Sequence, residues 1–109
     1  MIAAIRLIKE ERERQIAKWG NGHDDMHTHD ELTDAACYYA LADSNDAENL
    51  YPIHWCDSHR NRDKKTRFQQ LVIAGALIVA EIERLERLKE SVLTDIEEKY
   101  KTTLEEGAE

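Results

Sequence analysis

Ten consecutive residues, Leu71-Val72-Ile73-Ala74-Gly75-Ala76-Leu77-Ile78-Val79-Ala80, carry no charge in a chain whose residues are 35% charged. This run passes without a break into Glu81-Ile82-Glu83-Arg84-Leu85-Glu86-Arg87-Leu88, where apolar residues recur at helical period. A strand could be as apolar as the first part, but the continuous passage into the second predicts one long helix, apolar all round at its start. Such a helix must be covered on several sides, by the rest of the fold or by other subunits. Ten apolar residues are too few to span a bilayer.

A chain of 109 residues makes one domain with a modest core. Four glycines, one proline and few β-branched runs point to an all-α fold. The expected architecture is a helical bundle of about three main helices with a long C-terminal helix, completed by oligomerisation. With 23 acids against 15 bases the net charge is −8, so general attraction to nucleic acid or to an anionic membrane is not expected. The N-terminus enters a charged amphipathic helix directly, without the pattern of a signal peptide. Cys37 and Cys56 do not make a disulfide framework, and a reduced cytoplasmic setting fits them best.

Residues 2–19 read as the first helix, with Ile5, Ile8, Ile16 and Trp19 on one stripe and Arg12 in its middle. Either the Arg12 stem packs while its head reaches water or a carboxylate, or its guanidinium fork faces an anionic ligand such as phosphate. Gly20 is suited to the left-handed conformation that ends a helix. The loop that follows, His23 to Asp30, holds three histidines and three aspartates. Its side chains, with Glu31 and Asp34 beyond, are candidate ligands for Mg²⁺ or another divalent metal; the candidate set is His23, Asp24, Asp25, Glu31 and Asp34. The plain alternative is a polar connection in which Asp30 or Thr28 caps the next helix. That helix, over 30–42, places Glu31, Asp34 and Tyr38 on one face.

Residues 43–63 read as irregular. They contain an aromatic cluster, Tyr51-Pro52-Ile53-His54-Trp55, and lead into five bases at Arg60, Arg62, Lys64, Lys65 and Arg67. Aromatic rings beside a basic patch suit a nucleotide, the rings stacking on the base and the cations pairing with phosphate; the alternative is a loop pinned to the core by its rings. The last helix is expected over 64–104, with Ile82, Leu85, Leu88 or Val92, Ile96 and Tyr100 along one side. At 1.5 Å per residue it would be about 60 Å long. That exceeds the reach of so small a globule, so its tail should pack on another subunit or fold back.

Glu11-Arg12-Glu13-Arg14-Gln15 followed by Lys18-Trp19-Gly20 resembles the opening of small MazG-like proteins of phages and prophages, and Leu71 to Leu85 is similar to their closing helix. The resemblance implies the all-α nucleoside triphosphate pyrophosphohydrolase class, helical and usually oligomeric. In that class an E-x-x-E pair and an E-x-x-D pair hold Mg²⁺ against a nucleotide's phosphates. Glu31 and Asp34 stand at the place of the first acidic pair. At the place of the second, the sequence has Gln69, Gln70 and Ile73. A register with Glu10 and Glu13 as first pair and Glu31 and Asp34 as second also satisfies the spacing.

These readings make three functions the expectations. The first is binding, in the manner of sequestration, of a nucleotide or nucleotide-derived molecule by a phage-encoded protein acting on a host defence signal; its ligand residues would be Arg12, Trp19, Tyr38, Trp55, Arg60, Arg62 and Arg67. The second is Mg²⁺-dependent nucleoside triphosphate pyrophosphohydrolysis. The third is a structural or regulatory homo-oligomer built on the long helix.

Overall fold

The computed structural model describes residues 2–52, 55 and 60–107, with the side chains of residues 2, 21, 23 and 102–107 left aside. The described residues form helices and connecting loops, without a strand: α1 (Ile2–Trp19), α2 (Asn21–Asp25), α3 (Glu31–Ala40), α4 (Ser44–Glu48) and α5 (Arg67–Gly107), with a single 3₁₀ turn at Arg62–Lys64. The molecule measures 66 × 33 × 22 Å, its length set by α5. The all-α expectation holds. The long helix stays straight enough to project and does not fold back.

α5 is the platform on which α1 and α3 lie side by side. Its small residues Ala74, Ala76 and Ala80 are buried, and Ala74, Leu77 and Ala80 receive Leu32, Ala35, Ala36, Tyr38 and Tyr39 of α3. The aromatic rings extend this core in a chain of edge contacts. Tyr38 meets Tyr39 and Tyr51 at 5.0 Å each, and Tyr51 meets Trp55 at 6.3 Å. α1 approaches at Gly75, where a Cβ would sit 2.9 Å from the Ile8 δ-methyl, so the missing side chain is what lets the two helices close.

The helix ends explain where the structure departs from the expected boundaries. Gly20 takes φ 79° and donates to the Ile16 carbonyl at 2.7 Å, the left-handed stop anticipated for α1. Asp30 occupies the N-cap of α3 with φ 63° but makes no side-chain capping bond. Glu31 reaches back instead and accepts from the His29 N–H at 2.6 Å. α3 stops at Ala40, short of 42, because Leu41 turns to an extended conformation.

The stretch 43–63, expected to be irregular, contains α4 and the 3₁₀ turn. Asp43 nucleates α4 by accepting from the Asn45 and Asp46 N–H groups at 2.8 and 3.1 Å. α5 begins at Arg67 rather than 64 because Thr66 and Gln69 form a reciprocal capping box. The Thr66 Oγ1 accepts from the Gln69 N–H at 3.1 Å, and the Gln69 Oε1 accepts from the Thr66 N–H at 2.9 Å.

Candidate functional site

Between α1 and α3, above α5, lies a cavity of about 770 Å³. α1 supplies one wall through Leu7, Glu10, Glu11, Arg14, Gln15, Lys18 and Trp19, which recur every three or four residues and so share one side of the helix. α2 gives Asp24, α3 and the loops give His27, Leu32, Tyr39, Trp55, Asn61 and Lys65, and α5 forms the floor with Phe68, Gln69, Val72, Ile73 and Leu77. The size is that of a small-molecule site, and the mixture of rings, aliphatic side chains and a few amides is the usual lining of one.

The polar groups of the cavity are held in place. The Tyr39 hydroxyl donates to the Asn61 Oδ1 at 2.6 Å, and burial pushes its pKa well above the ordinary tyrosine value, so it remains a neutral donor. Arg14 grips Glu11 through two bonds of 2.8 and 2.6 Å, and Gln15 donates to the same carboxylate at 3.2 Å. His27 lies against Trp55 with ring centres 5.1 Å apart, its Nδ1 3.3 Å from the Glu31 carboxylate. The Lys18 ammonium sits 4.7 Å from the centre of the Trp19 ring. The Trp55 indole N–H is buried and finds no acceptor among the described residues.

Of the residues expected to bind a ligand, Trp19 and Trp55 line this cavity and the others have different surroundings. Arg12 is buried, with its guanidinium 2.8 Å from Asp24 and 2.6 Å from Glu83. This matches the first of the two readings of an arginine on an apolar stripe: it ties α1 to α2 and α5. Around it Ile8 and Ile16 are half-buried, whereas Ile5 lies outside the core. Tyr38 is buried, and its hydroxyl accepts from the Arg62 N–H at 3.3 Å. Arg60 bonds Glu48 at 2.6 Å and covers the Tyr51 ring.

Arg62 and Arg67 serve the end of α3. Arg62, 2% exposed, bonds the Ser44 hydroxyl at 2.9 Å, Asp63 at 3.0 Å and the Leu41 carbonyl. Arg67 donates to the Ala40 carbonyl at 2.5 Å and to the Leu41 carbonyl at 3.3 Å. Two guanidinium groups thus satisfy carbonyls that a helix C-terminus leaves without partners. The basic patch is therefore largely spent on the fold; Lys65 is the member of it that reaches the cavity.

The candidate metal ligands do not converge. Asp24 pairs with Arg12, Asp25 pairs with Arg87 at 2.7 Å, and Glu31 is shared by His27 and the His29 N–H. Asp34 is half-buried on α3. Among the described residues no group of three or more His, Cys, Asp or Glu side chains is placed to hold a metal ion, and the His23 side chain lies outside that set. At the place of the second acidic pair, Gln69 closes the capping box and Gln70 donates to the Arg62 carbonyl at 2.7 Å. The described residues do not fit the Mg²⁺ that the resemblance implies.

Glu11, Arg14, Gln15, Lys18, Tyr39, Asn61 and Phe68 are lining residues that the sequence did not mark as ligand contacts, whereas Glu10, His27, Lys65 and Gln69 were noted in the acidic-pair register, the His-Asp loop, the basic patch and the second-pair position. The α1 members had a signal in their common helical face. The others did not, since loop geometry brings them together. None of the described helices is long and apolar enough to cross a membrane. Comparison with protein-family models, with curated proteins and with solved structures finds no match.

Proposed function

We propose that this chain binds a nucleotide or nucleotide-derived small molecule in the cavity between α1 and α3. The observation that carries the reading is the lining itself: Trp19, Tyr39, Trp55 and Phe68 offer ring faces around a space that fits a nucleotide, beside the amides of Asn61 and Gln69. The indole N–H of Trp55 gives a further donor in need of an acceptor. Charge is distributed in keeping with a phosphate. Glu11 is paired with Arg14, Asp24 with Arg12 and Glu10 with Arg6, which leaves Lys18 and Lys65 to meet an anionic group. Binding without turnover fits an acid set in which Asp24, Asp25 and Glu31 are tied to Arg12, Arg87 and His27. The resemblance to small phage proteins makes sequestration of a host nucleotide signal the biological form of this proposal.

The test is a thermal-shift screen of nucleotides and cyclic or ADP-ribose-type signals, each with Mg²⁺ and with EDTA. Hits are followed by calorimetry and by chromatography of the recovered ligand. A hit that survives EDTA and returns intact is the expected result. Trp55→Ala should weaken it about 5- to 150-fold, the span of about 1–3 kcal/mol for one stacked base. Metal-dependent stabilisation with recovery of a monophosphate would overturn binding in favour of pyrophosphohydrolysis. A screen without any hit would favour the third function, a structural oligomer.

A further inference from the structure

The outer face of α5 is apolar and uncovered. Leu71, Ile78, Ile82, Leu85, Val92 and Ile96 are spaced by seven, four, three, seven and four residues, the interval of a coiled-coil seam, and each is about half exposed. Gly75 and Lys89 fill the two vacant seam positions, and Lys89 is the single charge among them. Leu88, Leu93 and Tyr100 widen the stripe at its C-terminal end, where every described side chain from Lys89 to Lys101 is exposed. These nine large side chains are between 45% and 65% exposed. At roughly 80–100 Å² each they present on the order of 800 Å², which is one partner's share of a standard stable interface and more than a monomer ordinarily leaves in one patch.

We propose that this face pairs with the same face of a second copy of the chain, antiparallel, with the two-fold axis between Ile82 and Leu85, which sets Leu71 against Ile96 and Ile78 against Lys89. The seam runs from Leu71 to Tyr100, edged by Ile8 of α1 at Gly75 alone, so a partner as long as the helix itself is needed to cover it, and α5 is such a partner. Lys89 sets the direction. Parallel pairing in register would set acid beside acid and Lys89 on Lys89. Each Lys89 in the antiparallel pair meets an aliphatic position, with its stem along the seam and its ammonium at the edge.

Light scattering and sedimentation of the intact chain over a range of concentrations test the assembly. The expected mass is twice the 12.7 kDa of one chain. Ile82→Glu with Leu85→Glu should give a monomer of unchanged helical signal at low concentration, since both side chains lie outside the core. Orientation is read in a Cys37→Ser, Cys56→Ser background carrying Leu71→Cys or Ile96→Cys. Antiparallel pairing gives cross-linked dimers when the two variants are mixed and little when each is oxidised alone. A wild-type monomer at 100 μM or more, assembly that survives the double glutamate variant, or self-cross-linking by Ile96→Cys alone would each overturn the proposal.

Discussion

The two halves of α5 are the same helix in opposite circumstances. From Arg67 to Arg87 it is clothed: Ala74, Leu77 and Ala80 sit under α3, Gly75 receives Ile8, and Glu83 and Arg87 hold Arg12 and Asp25. From Leu88 to Lys101 the side chains are exposed on every side. The first half is the more apolar, but the second also has Leu88, Val92, Leu93, Ile96 and Tyr100; what it lacks is alanine and glycine. Alanine and glycine let neighbouring helices approach closely enough to exclude water, while larger residues at seam spacing await a partner that brings its own bulk.

The largest expected effect strikes the clothed half through its buried ions. Arg12→Ala leaves Asp24, 10% exposed at its side chain, without its guanidinium. Removing one member of such a pair typically costs about 3–5 kcal/mol, because the remaining charge stays desolvated. Arg12→Lys should recover only part of this, since an ammonium cannot fork between Asp24 and Glu83. Urea unfolding followed by circular dichroism measures both. A loss under 1 kcal/mol for Arg12→Ala would mean that Asp24 reaches water and that the clothed half is looser than described.

Adding the same bulk to each half sharpens the contrast. Ala80 is 1% exposed, so Ala80→Leu should cost about 1–3 kcal/mol through overpacking. Thr94 is exposed and lies off the apolar stripe, so Thr94→Leu should be neutral or gain a few tenths of a kcal/mol from helix propensity. Unfolding at protein concentrations low enough to be concentration-independent keeps any association out of the comparison. Equal effects from the two substitutions would erase the distinction between the halves.

How much of this was legible in the sequence follows the same division. Periodicity and composition reached the long helix, the all-α class, the stop at Gly20 and the pairing option for Arg12, because each is set by local spacing and burial cost. The capping box at Thr66 and Gln69 was also there to be read, and it fixes where α5 begins. The cavity was not. Its α1 wall lies to one side of the Ile8–Ile16 stripe and meets it at Trp19, and Asn61, Lys65 and Trp55 reach it only through the turn of the chain after α4. The basic patch misled for a physical reason. Arginines look alike whether they await an anion or satisfy helix-end carbonyls, and Arg62 and Arg67 do the latter.

Alkaline pH probes the aromatic edge of the clothed region. Burial raises the Tyr39 pKa above its ordinary value near 10, and burial raises that of Tyr38 as well. Below pH 10 both phenols are neutral, folded or unfolded, and they cost nothing. Above it the unfolded chain ionises first, so stability falls as pH rises, by about 1.4 kcal/mol per pH unit for each tyrosine held neutral. Tyr39→Phe should flatten this fall while giving up the bond to Asn61 at neutral pH. An unchanged alkaline slope in that variant would place the Tyr39 hydroxyl in contact with solvent.

The smallest effect concerns α4, which is clothed although it is short. Five residues make little more than one turn, too few to stand on helix propensity, yet α4 carries fully buried Ala47 into the core and Glu48 to Arg60. Its hold comes from Asp43, whose carboxylate accepts from two of the first N–H groups. Asp43→Ala should therefore cost about 1 kcal/mol, and Asp43→Asn, which keeps an acceptor oxygen, should restore most of it. Hydrogen exchange adds resolution that unfolding curves lack: in Asp43→Ala the amides of Ala47 and Glu48 should exchange faster while those of α3 keep their protection. If α3 loosened equally, α4 would have to be counted as part of the α3–α5 core, and the boundary of the clothed region would move out to include it.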